Sequence, residues 1–226
     1  MTAARVLVTG GAGYVGSHAC KALKAAGYLP VTYDNLSTGH AAAVKFGPLE
    51  QGDLLDRDRL ARVFADHRPV AVMHFAALSL VGEAMRQPGL YWRVNVTGAL
   101  NLIEAALAAD CRRFIFSSTC ATYGDQDGVV LDEDSHQAPI NAYGASKRAI
   151  EDMLGDFAAS DGLEHVIFRY FNVADHQHPR FGNPACRIGA AFGQPGLGRC
   201  HDGLVVAVVL RIARLGAVQH ASTAAR

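Results

Sequence analysis

A β-branched run that breaks straight into glycines constrains this chain more than any other feature. Arg5 to Thr9 reads RVLVT, Gly10-Gly11-Ala12-Gly13 follows at once, and Tyr14 to Ala26 has helical composition ending at Gly27. Strand, glycine turn and helix in that order open a doubly wound α/β sheet. The turn holds G-x-G-x-x-G as Gly11, Gly13 and Gly16, and G-x-x-G-x-x-G as Gly10, Gly13 and Gly16. Missing Cβ atoms let such a backbone approach a pyrophosphate resting on the helix N-terminus. Eighteen residues beyond Gly16, Asp34 ends a second strand, Leu29 to Asp34. A carboxylate there can bond both ribose hydroxyls of adenosine and would repel a 2′-phosphate, so the cofactor expected is NAD rather than NADP. Asp53, in GDLLD after a short third strand, is placed to meet the adenine edge.

The alternation continues along the chain. A short strand near Leu49 to Gly52, a helix near Asp56 to His67 and a strand at Val70 to Phe75 come first. A long helical stretch from Pro88 to Ala109, a strand at Arg113 to Ser118, a helix at Asn141 to Ser160 and a strand at His165 to Phe171 follow. Strands separated by helical crossovers predict a parallel sheet covered on both faces, a Rossmann-type nucleotide-binding fold. Half the side chains are apolar, enough for such a core. Lys+Arg and Asp+Glu are both 21, leaving no basic excess to hold a phosphate backbone, so no nucleic-acid partner is expected. The apolar run Leu204 to Leu210 is too short to span a bilayer and the N-terminus has no signal-peptide pattern, so no membrane partner and a cytoplasmic location are expected. Cys20, Cys111, Cys120, Cys186 and Cys200 make no C-x-x-C pair and read as reduced thiols. His176, His178, Cys186, Cys200 and His201 fit no common zinc spacing, so no metal is expected. His18 and His74 read as packed rather than functional residues.

Composition changes after Ala174. Residues 1 to 174 carry 15 basic and 19 acidic side chains, whereas 175 to 226 carry six Arg, two Asp and neither Lys nor Glu. The division expected is 1–174 as an NAD-binding Rossmann domain and 175–226 as an atypical tail that resembles no second half of a sheet domain. Two readings of that tail stand open: a genuine if unusual lobe, or a frameshifted or truncated end of an Arg-biased coding sequence.

The chemistry lies in Tyr143-Gly-Ala-Ser-Lys147, whose i, i+4 spacing puts tyrosine and lysine on one helix face. The preceding strand ends in FSSTCATYG, offering Ser117, Ser118 and Thr119 where ligands bind at the carboxyl ends of parallel strands. A tyrosine serves as base at neutral pH only where positive charge stabilises its phenolate, here Lys147 and an oxidised nicotinamide ring. Thr119 is placed to share a hydrogen bond with a substrate hydroxyl, and Ser117, Tyr143 and Lys147 to border the cofactor.

With VTGGAGYVGSH, YDNLSTG, GDLLD, HFAAL, NVTGALNL, FSSTCATYG, NAYGASK and RYFN in order from Arg5 to Val173, the chain resembles the extended short-chain dehydrogenase/reductases, and within them the nucleotide-sugar 4-epimerases. The resemblance implies Gly10, Gly13, Tyr14, Val15 and Gly16 at the pyrophosphate, Asp34 and Asn35 at the adenosine ribose, and Asp53 and Leu54 at adenine. It implies Phe75, Ala76, Ala77 and Asn95 along the cofactor, Tyr170 beside the nicotinamide, and Asn172 on the diphosphate of a UDP-sugar. Thr119, Tyr143 and Lys147 become the catalytic residues. The implied reaction is UDP-glucose/UDP-galactose interconversion through a transient 4-keto intermediate, a step of galactose metabolism, by a homodimer joined through helices from around Pro88 and Asn141. A UDP-xylose/UDP-arabinose 4-epimerase and a non-catalytic NAD-binding remnant are the alternatives. Cys120-Ala121 stand where the 4,6-dehydratases of the family carry Asp-Glu, which disfavours loss of water.

Overall fold

A computed structural model describes residues 3–126 and 130–171, together with the strand backbone of Ile188–Ala191. Strands β1 (Arg5–Thr9), β2 (Leu29–Asp34), β3 (Leu49–Gln51), β4 (Ala71–His74), β5 (Arg113–Thr119), β6 (Glu164–Tyr170) and β7 (Ile188–Ala191) form one sheet in the order β3-β2-β1-β4-β5-β6-β7. The first six are parallel, and β7 runs antiparallel along β6.

In the central strand β1, successive residues point to opposite faces, and both faces are buried. Leu7 joins one core with Val31, Val72, Phe114 and Phe116, while Val6 and Val8 join the other with Met73, Ile115 and Phe168. Helix α1 (Tyr14–Ala25) covers the second face through Ala19, Cys20 and Leu23. The first face is covered by α2 (Arg57–His67), α5 (Gly98–Ala108) and α6 (Ala142–Asp161), through Leu60, Val63 and Phe64, through Leu102 and Ile103, and through Ile150 and Leu154. Asp56 caps α2 by accepting from the Arg59 amide at 2.9 Å, and Asn141 caps α6 by accepting from the Gly144 amide at 2.8 Å.

Two elements between β4 and β5 differ from the expected single helix. A short helix α3 (Val81–Arg86) precedes α4 (Pro88–Tyr91), and the stretch to α5 is wound as a π-helix over Trp92–Thr97. The expected strand and helix positions otherwise hold to within two residues. Of the expected tail, Ile188–Ala191 joins the sheet edge, so part of it does continue a sheet domain; the rest of 175–226 lies outside the described residues. No helix among the described residues is long and apolar enough to cross a membrane.

Candidate functional site

The chain runs from β1 outward to β2 and β3, then returns to β4 on the other side of β1. That reversal opens a crevice at the carboxyl ends of the strands. A cleft of about 230 Å³ lies there, lined by the β1–α1 turn, the ends of β2 and β3 and the segment after β4.

The three glycines of the turn have different work. Gly10 sits in the left-handed region at φ +72°, and a Cβ on it would lie 2.6 Å from the Ala76 amide nitrogen. A Cβ on Gly16 would overlap the Gly10 carbonyl, so these two close the turn upon β4 and upon itself. Gly13 has ordinary extended dihedrals, and a Cβ would meet only the Gly10 carbonyl at 3.2 Å. Its missing side chain leaves room in the cleft. Helix α1 starts at this point with no side-chain cap and no acid in its first turn, so its positive end is open to an anion. Tyr14 and Val15 line the cleft beside it.

Asp34 is 8% exposed, and its carboxylate accepts from the Ala12 amide at 3.0 Å and the Leu36 amide at 2.9 Å. This grip aims the group at the cleft from the end of β2. Asn35 donates to the Asp53 carboxylate at 2.8 Å, Leu55 N–H caps the other Asp53 oxygen at 2.9 Å, and Tyr33 donates to the Asp53 carbonyl at 2.8 Å. Leu54, Phe75, Ala76 and Ala77 also line the cleft. Asn95 does not. It is 1% exposed behind the wall, where its amide brackets Leu78 N–H and C=O at 2.9 and 3.0 Å and donates to Ser146 Oγ at 3.1 Å. It fixes the post-β4 segment against α6.

Thr119, Tyr143 and Lys147 converge beyond that wall. A Cβ on Gly144 would overlap the Ala121 carbonyl, so only glycine lets the first turn of α6 settle on the turn after β5. Tyr143 is thereby brought within hydrogen-bond reach of the Thr119 hydroxyl. Burial pushes the Tyr143 hydroxyl up, and the Thr119 hydrogen bond partly offsets this. Tyr91 packs edge-on to Tyr143, ring centroids 6.5 Å apart. Lys147 is 2% exposed, donates to the Ser117 carbonyl at 2.9 Å, and lies 4.8 Å from the Phe116 ring centroid. Burial lowers its ammonium to about 7, opposed by Glu151. Ser117 thus meets this site through its backbone. Tyr170 pairs in register with Thr119 across β5 and β6. Asn172 lies outside the described residues, as do His176, His178, Cys186, Cys200 and His201.

His74 is buried as expected, bonded to Thr9 Oγ1 at 2.7 Å and stacked on Phe116. Burial and the Lys147 charge push it down to about 3. His18 is not packed: it is exposed on α1, edge-on to Tyr14. Among the described residues no group of three or more His, Cys, Asp or Glu could hold a metal ion. The network of Ser118, Glu151 and Arg169 behind Lys147 was not anticipated, although Glu151 continues the Tyr143, Lys147 spacing by one more turn.

Sheet order and switch-point cleft together define a doubly wound protein of the dinucleotide-binding type, with a half-buried Tyr143 and a buried Lys147 on α6. A family model described as NAD dependent epimerase/dehydratase family matches residues 6–183, and the chain belongs to that family. It is 54% identical over 169 residues to the UDP-glucose 4-epimerase of Rhizobium meliloti, covering 75% of this chain and 52% of the relative. The crystal structure of UDP-glucose 4-epimerase from Brucella ovis in complex with NAD matches with a TM-score of 0.74 and 48% identity, over 75% of this chain and 52% of that one. A Stenotrophomonas maltophila UDP-glucose-4-epimerase with bound NAD and formylated UDP-arabinopyranose matches with a TM-score of 0.72 and 34% identity, over 80% and 59%. The chain spans about half the length of the relatives it matches. The residues present fit the family's cofactor: an uncapped helix start, a glycine whose Cβ would fill the cleft, and an anchored carboxylate at the end of β2.

Proposed function

We propose that the chain, with NAD, epimerises C4 of a nucleotide sugar, with UDP-glucose and UDP-galactose as the pair. The observation that carries this is the convergence of Thr119, Tyr143 and Lys147 at the carboxyl end of β5, in the same sheet whose β1, β2 and β4 ends line the cleft. Cofactor binding and the Tyr/Lys pair fall within residues 1–174. Gly13, Tyr14, Val15 and Gly16 would hold the pyrophosphate, Asp34 the ribose, Asp53 and Leu54 the adenine. NAD, when bound, would supply a reversible two-electron acceptor for C4 of the sugar.

Tyr143 takes the proton from the 4-hydroxyl oxygen and later returns a proton to that same oxygen, while the inversion is at C4, which gives up hydride from one face and regains it on the other. Thr119 hydrogen-bonds the reacting oxygen and holds it in line with Tyr143. Burial keeps Tyr143 protonated in the ligand-free protein, so its phenolate requires added positive charge. Lys147, held at the Ser117 carbonyl, is the protein's own source of that charge. The turn of the 4-keto sugar between the two proton transfers requires grip on the diphosphate, a task for Asn172.

A homodimer through α4–α5 and α6 fits the apolar side chains exposed nearby, Met85 and Trp92. A cytoplasmic setting fits the free thiols of Cys20, Cys111 and Cys120. The pentose pair, UDP-xylose/UDP-arabinose, is the second reading, favoured by the UDP-arabinopyranose in the Stenotrophomonas structure. The test is to incubate the purified chain with NAD and UDP-galactose, quantifying UDP-glucose and bound NAD in the same sample. UDP-glucose formed from UDP-galactose, faster than UDP-xylose forms from UDP-arabinose in a parallel sample, supports the reading. Bound NAD without product overturns it in favour of a non-catalytic NAD-binding module.

A further inference from the structure

One buried carboxylate behind the site is gripped from three directions. Glu151 is 6% exposed and lies on α6 one turn beyond Lys147 and two beyond Tyr143. Its Oε1 accepts from the Ser118 hydroxyl of β5 and from Arg169 Nε of β6 at 3.2 Å. Its Oε2 accepts from Arg169 Nη2 at 2.7 Å, from Arg169 Nε at 3.1 Å and from the Gln137 side chain at 2.9 Å. Ser118 and Arg169 face each other in register, next to Thr119 and Tyr170. Arg169 also donates to the Tyr123 hydroxyl at 2.9 Å and the Glu133 carbonyl at 3.1 Å. Two of the three donor residues, Ser118 and Arg169, thus come from strands that carry a proposed site residue. A buried ion pair is weak evidence for stability, because desolvation offsets its attraction. A specific positioning task is the better explanation for keeping one.

We propose that Glu151 is the positioning residue of the Tyr143–Lys147 pair: its carboxylate pins α6 to β5 through Ser118 and to β6 through Arg169, and lays a negative charge one turn behind Lys147. This rests on the epimerase reading only in calling that pair catalytic. The groups facing Lys147 are His74 from β4, the Phe116 ring and Ser117 carbonyl from β5, and Glu151 from its own helix. His74 is neutral, since burial and Lys147 itself hold it well below its ordinary range. Glu151 is therefore the anion that keeps the buried ammonium charged, and Arg169 is the cation that balances it in turn.

The chain has four lysines, Lys21, Lys24, Lys45 and Lys147, and only Lys147 is buried. Isotope labelling at lysine Cε makes its titration readable by NMR without any turnover. In Glu151→Gln the Lys147 midpoint should fall by about one pH unit, a tenfold loss of proton affinity. In Ser118→Ala, which keeps the carboxylate and its arginine, the midpoint should stay within about 0.3 unit of the unaltered protein's, on the same scale. Because Glu151→Gln leaves Arg169 buried without its partner, the double variant Glu151→Gln/Arg169→Met is measured beside it and should show a fall of the same sign, smaller because the Arg169 charge is lost too. An unmoved Lys147 midpoint in whichever of these folds, or an equal fall in Ser118→Ala, overturns the proposal. Conversion of UDP-galactose by the unaltered chain tests the epimerase reading separately, so either idea can fail alone.

Discussion

Two alanine substitutions three residues apart should have opposite consequences. Gly10→Ala forces a Cβ into a residue at φ +72° and to 2.6 Å from the Ala76 nitrogen. The left-handed backbone costs about 1–2 kcal/mol, and overpacking against a fixed backbone costs about 1–3 kcal/mol more. The sum, about 2–5 kcal/mol, lowers Tm by about 4–20 °C in a chain of this size. Gly13→Ala keeps allowed dihedrals and meets only the Gly10 carbonyl at 3.2 Å. As an N-cap it costs about 0.5–1 kcal/mol. Its methyl group, however, occupies the space a phosphate needs, so NAD affinity should fall about tenfold or more, a loss of at least about 1.4 kcal/mol. Thermal unfolding by circular dichroism and NAD titration calorimetry on both variants separate the effects. If Gly13→Ala unfolds as early as Gly10→Ala, or binds NAD as tightly as the unaltered chain, the division of labour among these glycines is wrong.

Tyr143→Phe should lower UDP-galactose turnover by about a hundredfold or more, the range of a lost general base, while NAD stays bound; unchanged turnover refutes the base assignment. Asp34→Ala removes the acceptor of two backbone amides as well as the proposed ribose contact. It should cost about 1–3 kcal/mol in stability and weaken NAD, checked by denaturant unfolding and calorimetry. His74 titrates at about 3 when folded and near 6.5 when free, so below about pH 6.5 only the unfolded chain binds its proton. Stability should then fall with pH by about 1.4 kcal/mol per unit from this group, and His74→Gln should flatten that slope in urea unfolding.

The parts of the site written in short stretches were legible before any coordinates. The glycine turn, Asp34 and the Tyr143/Lys147 pair each lie within one strand–turn–helix unit, where spacing alone sets geometry. Asn95, expected along the cofactor, stands behind the cleft wall instead, because its partners Leu78 and Ser146 lie 17 and 51 residues away and no local pattern announces them. Glu151 and Arg169 meet across 18 residues and through a sheet register that hydropathy does not encode. Helix α3 was hidden for another reason: six residues with a glycine and exposed Val81 and Met85 show no amphipathic period.

The π-wound turns at Trp92–Thr97 separate two helical phases that a continuous α-helix could not reconcile. Upstream, Tyr91 turns toward Tyr143; within the segment, Asn95 reaches Ser146; downstream, Gly98 lets Leu54 approach to 3.0 Å of where its Cβ would be. Deleting one residue there would restore uniform winding but rotate everything after it by about 100°. The ring of Tyr91 beside Tyr143 and the seat of Leu54 in the cleft wall would no longer face their partners together. The segment acts as a phase shifter, so the chain should tolerate substitution there far better than any change of length.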